Sequence, residues 1–353
     1  MAGSKRHTGV TTPVENYKPN GEDAAGPPPR SRARTGGYWL FLLAKGATTV
    51  LLLYLATRNV RFDQVQEKLS QAEGVPLLAA FALLTLAQCV GAVRLASVMG
   101  ALRLRLGFMA SIRLQFVGLF FNSALPSSVG GDAVRIWLLT RGGFPFERAL
   151  GGILIDRSSA VVALVMIVAA AQPILDEIIS SDGLRQTMLV VVIGIFFAIP
   201  VALSLDRLPA GLRRIPIIRP LFGIVRDARI VYLSWGHGSK IIGMSIAIQF
   251  AASISYFLLA WTLNVTMPLS ICIVLVPAVI LATTLPISIG GWGVREAATV
   301  TLFGAAGVDP EGALLVSISY GVTMFTIGLP GGVIWFIERS NKLTHKRHEN
   351  SFF

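Results

Sequence analysis

Two stretches of this chain hold the residue types that could do chemistry. Residues 125–135 read Leu-Pro-Ser-Ser-Val-Gly-Gly-Asp-Ala-Val-Arg, and residues 285–295 read Leu-Pro-Ile-Ser-Ile-Gly-Gly-Trp-Gly-Val-Arg. Pro126 and Pro286 end an incoming helix, while Gly130-Gly131 and Gly290-Gly291 permit a tight reversal. The next helix then starts with free N–H groups and the positive end of its dipole at the break, which attracts an anion. Arg135 and Arg295 each stand four residues past the second glycine, one helical turn from the break. A guanidinium is a planar fork suited to phosphate. The pattern predicts two arginines converging on one anionic group, with Ser128 and Ser288 at the two tips and Gly293 beside the second.

Each arginine has a second use, as half of an internal salt bridge with Asp132 or Glu296. Asp132 also suits the cap of the helix after Gly131. Glu296 follows Arg295 directly and so projects about 100° away from it on a helix, so it need not pair with that arginine. It reads as a coupling carboxylate for a proton or ion. Asp156-Arg157 opens an uncharged run to Leu175, either as an interfacial anchor or as a cavity-lining pair that holds an anionic head group. Asn122 is placed to hydrogen-bond the unwound backbone of the first tip, and Lys45 to snorkel from the first span.

The elements that position these residues are membrane helices. Of 353 residues, 53% are hydrophobic and 14% charged, and Ile241 to Val294 contains no charge. That composition excludes a soluble domain and predicts an all-α integral membrane protein. About eight apolar segments run at 38–57, 75–93, 149–175, 186–205, 240–263, 268–285, 294–308 and 312–337. The Pro/Gly-broken stretch 108–141 lies between the second and third.

Residues 1–37 are polar, basic and rich in proline, predicting a disordered cytoplasmic tail. Residues 38–340 form a single membrane domain with a basic loop at 206–240, and 341–353 form a C-terminal tail. The tails, the 206–240 loop and the region of Arg94, Arg103, Arg105 and Arg113 are basic and belong inside, whereas 58–74 and 172–185 carry most of the loop acids and belong outside. Both termini are then cytoplasmic. The motifs at 122–135 and 285–296 enter from opposite faces as re-entrant hairpins of an inverted repeat.

Other chemistries lack their residues. The chain has no phosphate-binding Gly-x-x-x-x-Gly-Lys motif, and no histidine lies near an intramembrane serine or cysteine. Its four histidines have no metal-ligand spacing, its two cysteines lie in apolar runs, and its net charge of +12 is confined to tails and loops. These features predict no metal, no cofactor, no nucleic-acid partner and no enzymatic activity.

Asn122 to Arg135, Ile155-Asp156-Arg157 and Leu285 to Glu296 together resemble the lysylphosphatidylglycerol synthase transmembrane region family, flippase-like membrane proteins. The resemblance covers about residues 38–340 and departs at Ile289, where many relatives carry proline. It implies a multi-span domain that moves phospholipids between leaflets through re-entrant hairpins. It also implies loss of the tRNA-dependent synthase reaction, because only Glu338 to Phe353 follow the domain.

The leading expectation is a flippase of a bacterial cytoplasmic membrane for an anionic phospholipid, a lipid-linked head group or an isoprenoid-type lipid. Its partners are then membrane lipids. Two other readings are an intramembrane enzyme that uses Asp132, Asp156 or Glu296 on a lipid head group, and a scaffold that transports nothing.

Overall fold

In a computed structural model of the protein, the described residues are 46–52, 54–55, 57, 72–125, 130–179, 181–204, 219–284, 288 and 290–349. All regular elements among them are helices: α1 (Gly74–Ala101), α2 (Phe108–Ala124), α3 (Gly130–Arg141), α4 (Phe146–Ala170), α5 (Gln172–Ile178), α6 (Asp182–Leu203), α7 (Arg219–Leu233), α8 (Trp235–Thr262), α9 (Leu269–Thr283), α10 (Val294–Ala305) and α11 (Pro310–Glu349). Residues 46–52 are helical too. The tail 1–37, Lys45, Pro126, Ser128 and Pro286 fall outside the described residues.

Among the described residues, four helices are long and apolar enough to cross a membrane: α1, α4, α8 and the Pro310–Glu338 part of α11. Helix ends follow local chemistry. Past α1, Arg103 adopts φ 59° and its N–H reaches the Gly100 carbonyl; past α8, Asn264 adopts φ 52°, a left-handed geometry that Asn tolerates. Pro173 near the start of α5 cannot donate to a helical ladder, so α4 stops at Ala170 and a new helix begins.

The expected breaks are present as two pairs of short helices. Helices α2 and α3 have 17 and 12 residues, and α9 and α10 have 15 and 12. At 1.5 Å per residue these are about 18–26 Å long, short of a ~30 Å hydrocarbon core. The apolar runs 268–285 and 294–308 are therefore the two limbs of one hairpin, and neither spans alone.

Side-chain contacts fix their directions. Arg135 meets Leu114 while Gly131 meets Gly118, so α3 runs antiparallel to α2. Gly331 lies on Phe116 and Gly328 on Phe120, so α2 is antiparallel to α11; Thr299 meets Ser317 and Arg295 lies on Gly321, so α10 is antiparallel to α11 as well. The incoming limb of the first hairpin thus runs parallel to the outgoing limb of the second. The C-terminal end of α2 meets the turn that precedes α10: a Cβ on Gly290 would stand 3.1 Å from the Asn122 carbonyl oxygen.

The main apolar core packs α4, α8, α9, α10 and α11, with Leu164, Tyr256, Leu259, Cys272, Leu275, Phe303 and Val316 buried. Large apolar side chains also cover the outside, among them Leu78, Leu86, Val190, Phe196, Phe197 and Phe336. In water such a surface would aggregate; in a bilayer it faces lipid.

Candidate functional site

The first hairpin places Asp132 and Arg135 on one face of α3, and α4 brings Arg157 to the same carboxylate. Arg157 donates from Nε to Asp132 Oδ2 at 2.8 Å and from Nη2 to Oδ1 at 2.7 Å, a fork-on-fork pair. Arg135 donates from Nη1 to Asp132 Oδ1 at 3.3 Å, from Nε to the Leu114 carbonyl at 3.1 Å, and from Nη2 to the Gln115 carbonyl and Oε1 at 3.2 and 2.9 Å. Its seat requires Gly118, because a Cβ there would fall 2.0 Å from Arg135 Nε. Gln115 is held in turn by donating to Gln88 Oε1 on α1 at 2.8 Å.

Asp156, one residue before Arg157, faces elsewhere. It accepts from Arg94 Nε and Nη2 at 2.9 and 3.2 Å, and Arg94 Nη1 donates to Ser245 Oγ at 3.1 Å, so α1, α4 and α8 are joined by a buried ion pair. Consecutive helical residues differ by about 100°, which sends these two charges to different partners. Together the region holds Arg94, Arg135 and Arg157 against Asp132 and Asp156, one guanidinium in excess. Arg157 is also the accessible member: its side chain is 40% exposed, against 2% for Arg135. Its Nη1 has no hydrogen-bond partner among the described residues.

The second hairpin is built differently. Arg295 Nη2 donates to Glu296 Oε1 at 2.5 Å and its Nε to Ser317 Oγ at 3.4 Å, with Trp292 at 4.7 Å from the guanidinium carbon. Glu296 is fully buried, and its Oε2 accepts from the Gly293 N–H at 2.6 Å. Gly293, at φ 83°, is the cap of α10, so Glu296 closes the acidic half of a capping box. This half is neutral. Gly321 plays the part of Gly118, since a Cβ there would stand 2.1 Å from Arg295 Nη2.

Several expectations change accordingly. Of the two uses open to Arg295, the salt bridge with Glu296 is the one present, because long side chains bridge a 100° offset, and Glu296 is a cap as well, a role not expected of it. Asp132 is not the cap of α3: the helix is already under way at Gly130, and Asp132 sits in its first turn holding two arginines. Among the described residues Arg135 and Arg295 have no common partner; each lies in its own network, although Gly290 lies against the Asn122 carbonyl. Arg94, assigned by charge bias to an inner basic cluster, is buried in the bundle.

Asn122 binds the first turn of α3 and not unwound backbone, its Oδ1 accepting the Gly131 N–H at 2.9 Å. Gly130 packs on Leu125, and Gly131 admits the Gly118 carbonyl where a Cβ would lie 2.0 Å from it. Gly290 and Gly291 adopt φ 59° and 82°, the left-handed turn expected of them. Ser288 is buried at the second tip, and its hydroxyl has no hydrogen-bond partner among the described residues. No group of three metal-ligating side chains occurs among the described residues. Sequence reasoning missed Arg94 as a structural partner, together with Gln88, Gln115, Ser245, Gly118 and Gly321. The usable signal was Arg94 standing as the lone charge between Gly74 and Gly100.

A bundle of apolar helices, broken twice and holding arginines at the breaks, defines an α-helical membrane protein. Residues 42–332 match the family described as Lysylphosphatidylglycerol synthase TM region, and the chain belongs to that family. Its membrane domains are associated with lipid head-group modification and flipping. Comparison with curated proteins finds no match.

Proposed function

We propose that this protein moves an amphiphile with an anionic head group between leaflets, the head group resting on Arg157 of α4, beside the first hairpin. The carrying observation is the unbalanced guanidinium: among the described residues three arginines face two carboxylates, and the accessible one keeps a donor without a partner there. In the second hairpin the corresponding anion is the chain's own Glu296, at the N-terminus of α10 and on Arg295. The first hairpin has Ile136 where the second has Glu296, and its one acid, Asp132, is shared between Arg135 and Arg157, so the first copy is the one suited to an external anion.

The hairpins form an inverted repeat that enters a bacterial cytoplasmic membrane from opposite faces, with both termini cytoplasmic as the loop charges require. Anionic phospholipids, lipid-linked head groups and isoprenoid-type lipids all present the required phosphate. Transport is favoured over chemistry because Asp132, Asp156 and Glu296 are each committed to an arginine, leaving none of them free as a general acid or base. The same commitment favours exchange down a lipid gradient over proton coupling.

Proteoliposomes with a fluorescent anionic lipid in one leaflet test this. Faster transbilayer movement with the wild-type protein, lost with Arg157→Gln, is expected. No acceleration across several anionic lipids overturns it, and a chemically altered lipid in mass spectra would replace it with the enzyme.

A further inference from the structure

The turn between α1 and α2 contains a second basic feature that shares no partner with the hairpin arginines. A cavity of about 520 Å³ opens there, lined by Gly100, Arg103, Leu104, Arg105, Leu106 and Gly107. Arg103 and Arg105 are both exposed, and neither has an acidic partner among the described residues. Two unpaired guanidiniums beside two leucines make an amphipathic recess, charged for a phosphate and apolar for what is attached to it. Its volume lies within the ~300–1,000 Å³ range of small-molecule pockets.

Helix α7 sets the level of this recess in the bilayer. Its inner face packs Ala228 and Val231 against Val98 and Leu102 at the end of α1, beside the turn. Tyr232 pins it further by donating to the Ile155 carbonyl at 2.9 Å, and Asp227 accepts from Arg148 Nη1 at 2.8 Å. The outward side carries Arg226, Ile230 and Leu233, followed by Trp235, which is 94% exposed. With 15 residues, α7 is about 22 Å long and too short to span. An outward face that mixes arginine with large apolar groups, and ends on an exposed tryptophan, belongs in the head-group layer. The neighbouring recess is at the same depth.

We infer that the Arg103–Arg105 recess binds the phosphate head group of an anionic phospholipid resident in the adjacent leaflet, as a lipid site distinct from the transported cargo. The arginine fork engages the phosphate, and Leu104 and Leu106 line the glycerol end. The inference does not depend on transport, since it invokes no residue of either hairpin.

The test is lipid retention in native mass spectrometry after exchange from nanodiscs containing phosphatidylcholine and phosphatidylglycerol. Wild type is expected to keep one more phosphatidylglycerol than the Arg103→Gln/Arg105→Gln variant, whose affinity falls about fivefold per arginine removed. Gly100→Phe fills the recess but leaves both charges in place, and it should also lose that lipid. Gly100, Arg103 and Arg105 are all exposed, so the unfolding temperatures should match wild type. Retention unchanged in both variants overturns the inference. So does displacement of the lipid by millimolar inorganic phosphate, which identifies a soluble anion as the occupant. Loss of this lipid with transport intact, or the reverse in Arg157→Gln, keeps the two sites separately testable.

Discussion

Substituting Gly118 by alanine should unseat Arg135, and the sign of the effect should depend on whether the arginine is there. The new methyl would stand 2.0 Å from Nε, far inside contact distance, and the guanidinium carbon and Nη2 lie at 2.7 and 2.8 Å. To make room, Arg135 must give up its bonds to Leu114, Gln115 and Asp132. A buried charge stripped of its partners destabilises by about 3–5 kcal/mol. Arg135→Gln alone removes the charge along with the bonds, and its effect should be smaller, about 1–2 kcal/mol.

In the Gln background the Gly118→Ala methyl meets no guanidinium. Exchanging a helical glycine for alanine then stabilises by about 0.5–1 kcal/mol. The double-mutant cycle therefore predicts a coupling of about 3 kcal/mol or more between positions 118 and 135, measured by reversible unfolding in mixed micelles or bicelles. Additivity within about 0.5 kcal/mol would refute the reasoning, because it would mean that Arg135 can leave its seat without loss.

The matched pair in the second hairpin gives the same test, and Gly321→Ala should be severe in wild type and mild once Arg295 is Gln. Arg157→Gln should reduce lipid movement about ten- to hundredfold, the worth of a charge-assisted hydrogen bond, in the liposome assay. Because the Arg157 side chain is 40% exposed, the same variant should lose only about 1 kcal/mol or less in unfolding experiments. Asp156→Asn should destabilise by about 3–5 kcal/mol by leaving Arg94 buried without its counter-charge, while Arg94→Met with Asp156→Leu should fold nearly as well as wild type. Glu296→Gln should combine loss of the Arg295 pair with loss of the α10 cap, visible as faster amide exchange at Val294–Glu296 than in wild type.

Much of the helical framework is legible in apolar run lengths, and both breaks in the Pro/Gly motif, because those features act locally. The pairing of the charges is not local. Charge bias treats Arg94 as a loop marker, yet α1 continues to Ala101 and places it opposite Asp156, a partner fixed only by the packing of α1 on α4 and α8. Glu296 escaped because its capping box has Gly293 where the usual pattern has serine or threonine, so the acid looked unemployed. Gly118 and Gly321 read as ordinary membrane glycines. Their meaning, a bare patch of helix beneath an arginine, exists only once two helices are side by side.

Glu296 gives the two halves of the bundle different working lives. An anion tethered one residue from Arg295 has an effective concentration that free lipid does not approach, so that arginine is occupied whatever the membrane contains. On the proposed transport reading the second hairpin is the fixed half, its arginine already satisfied from within the chain. The first, where two arginines share Asp132, is the half that a head group would enter and leave.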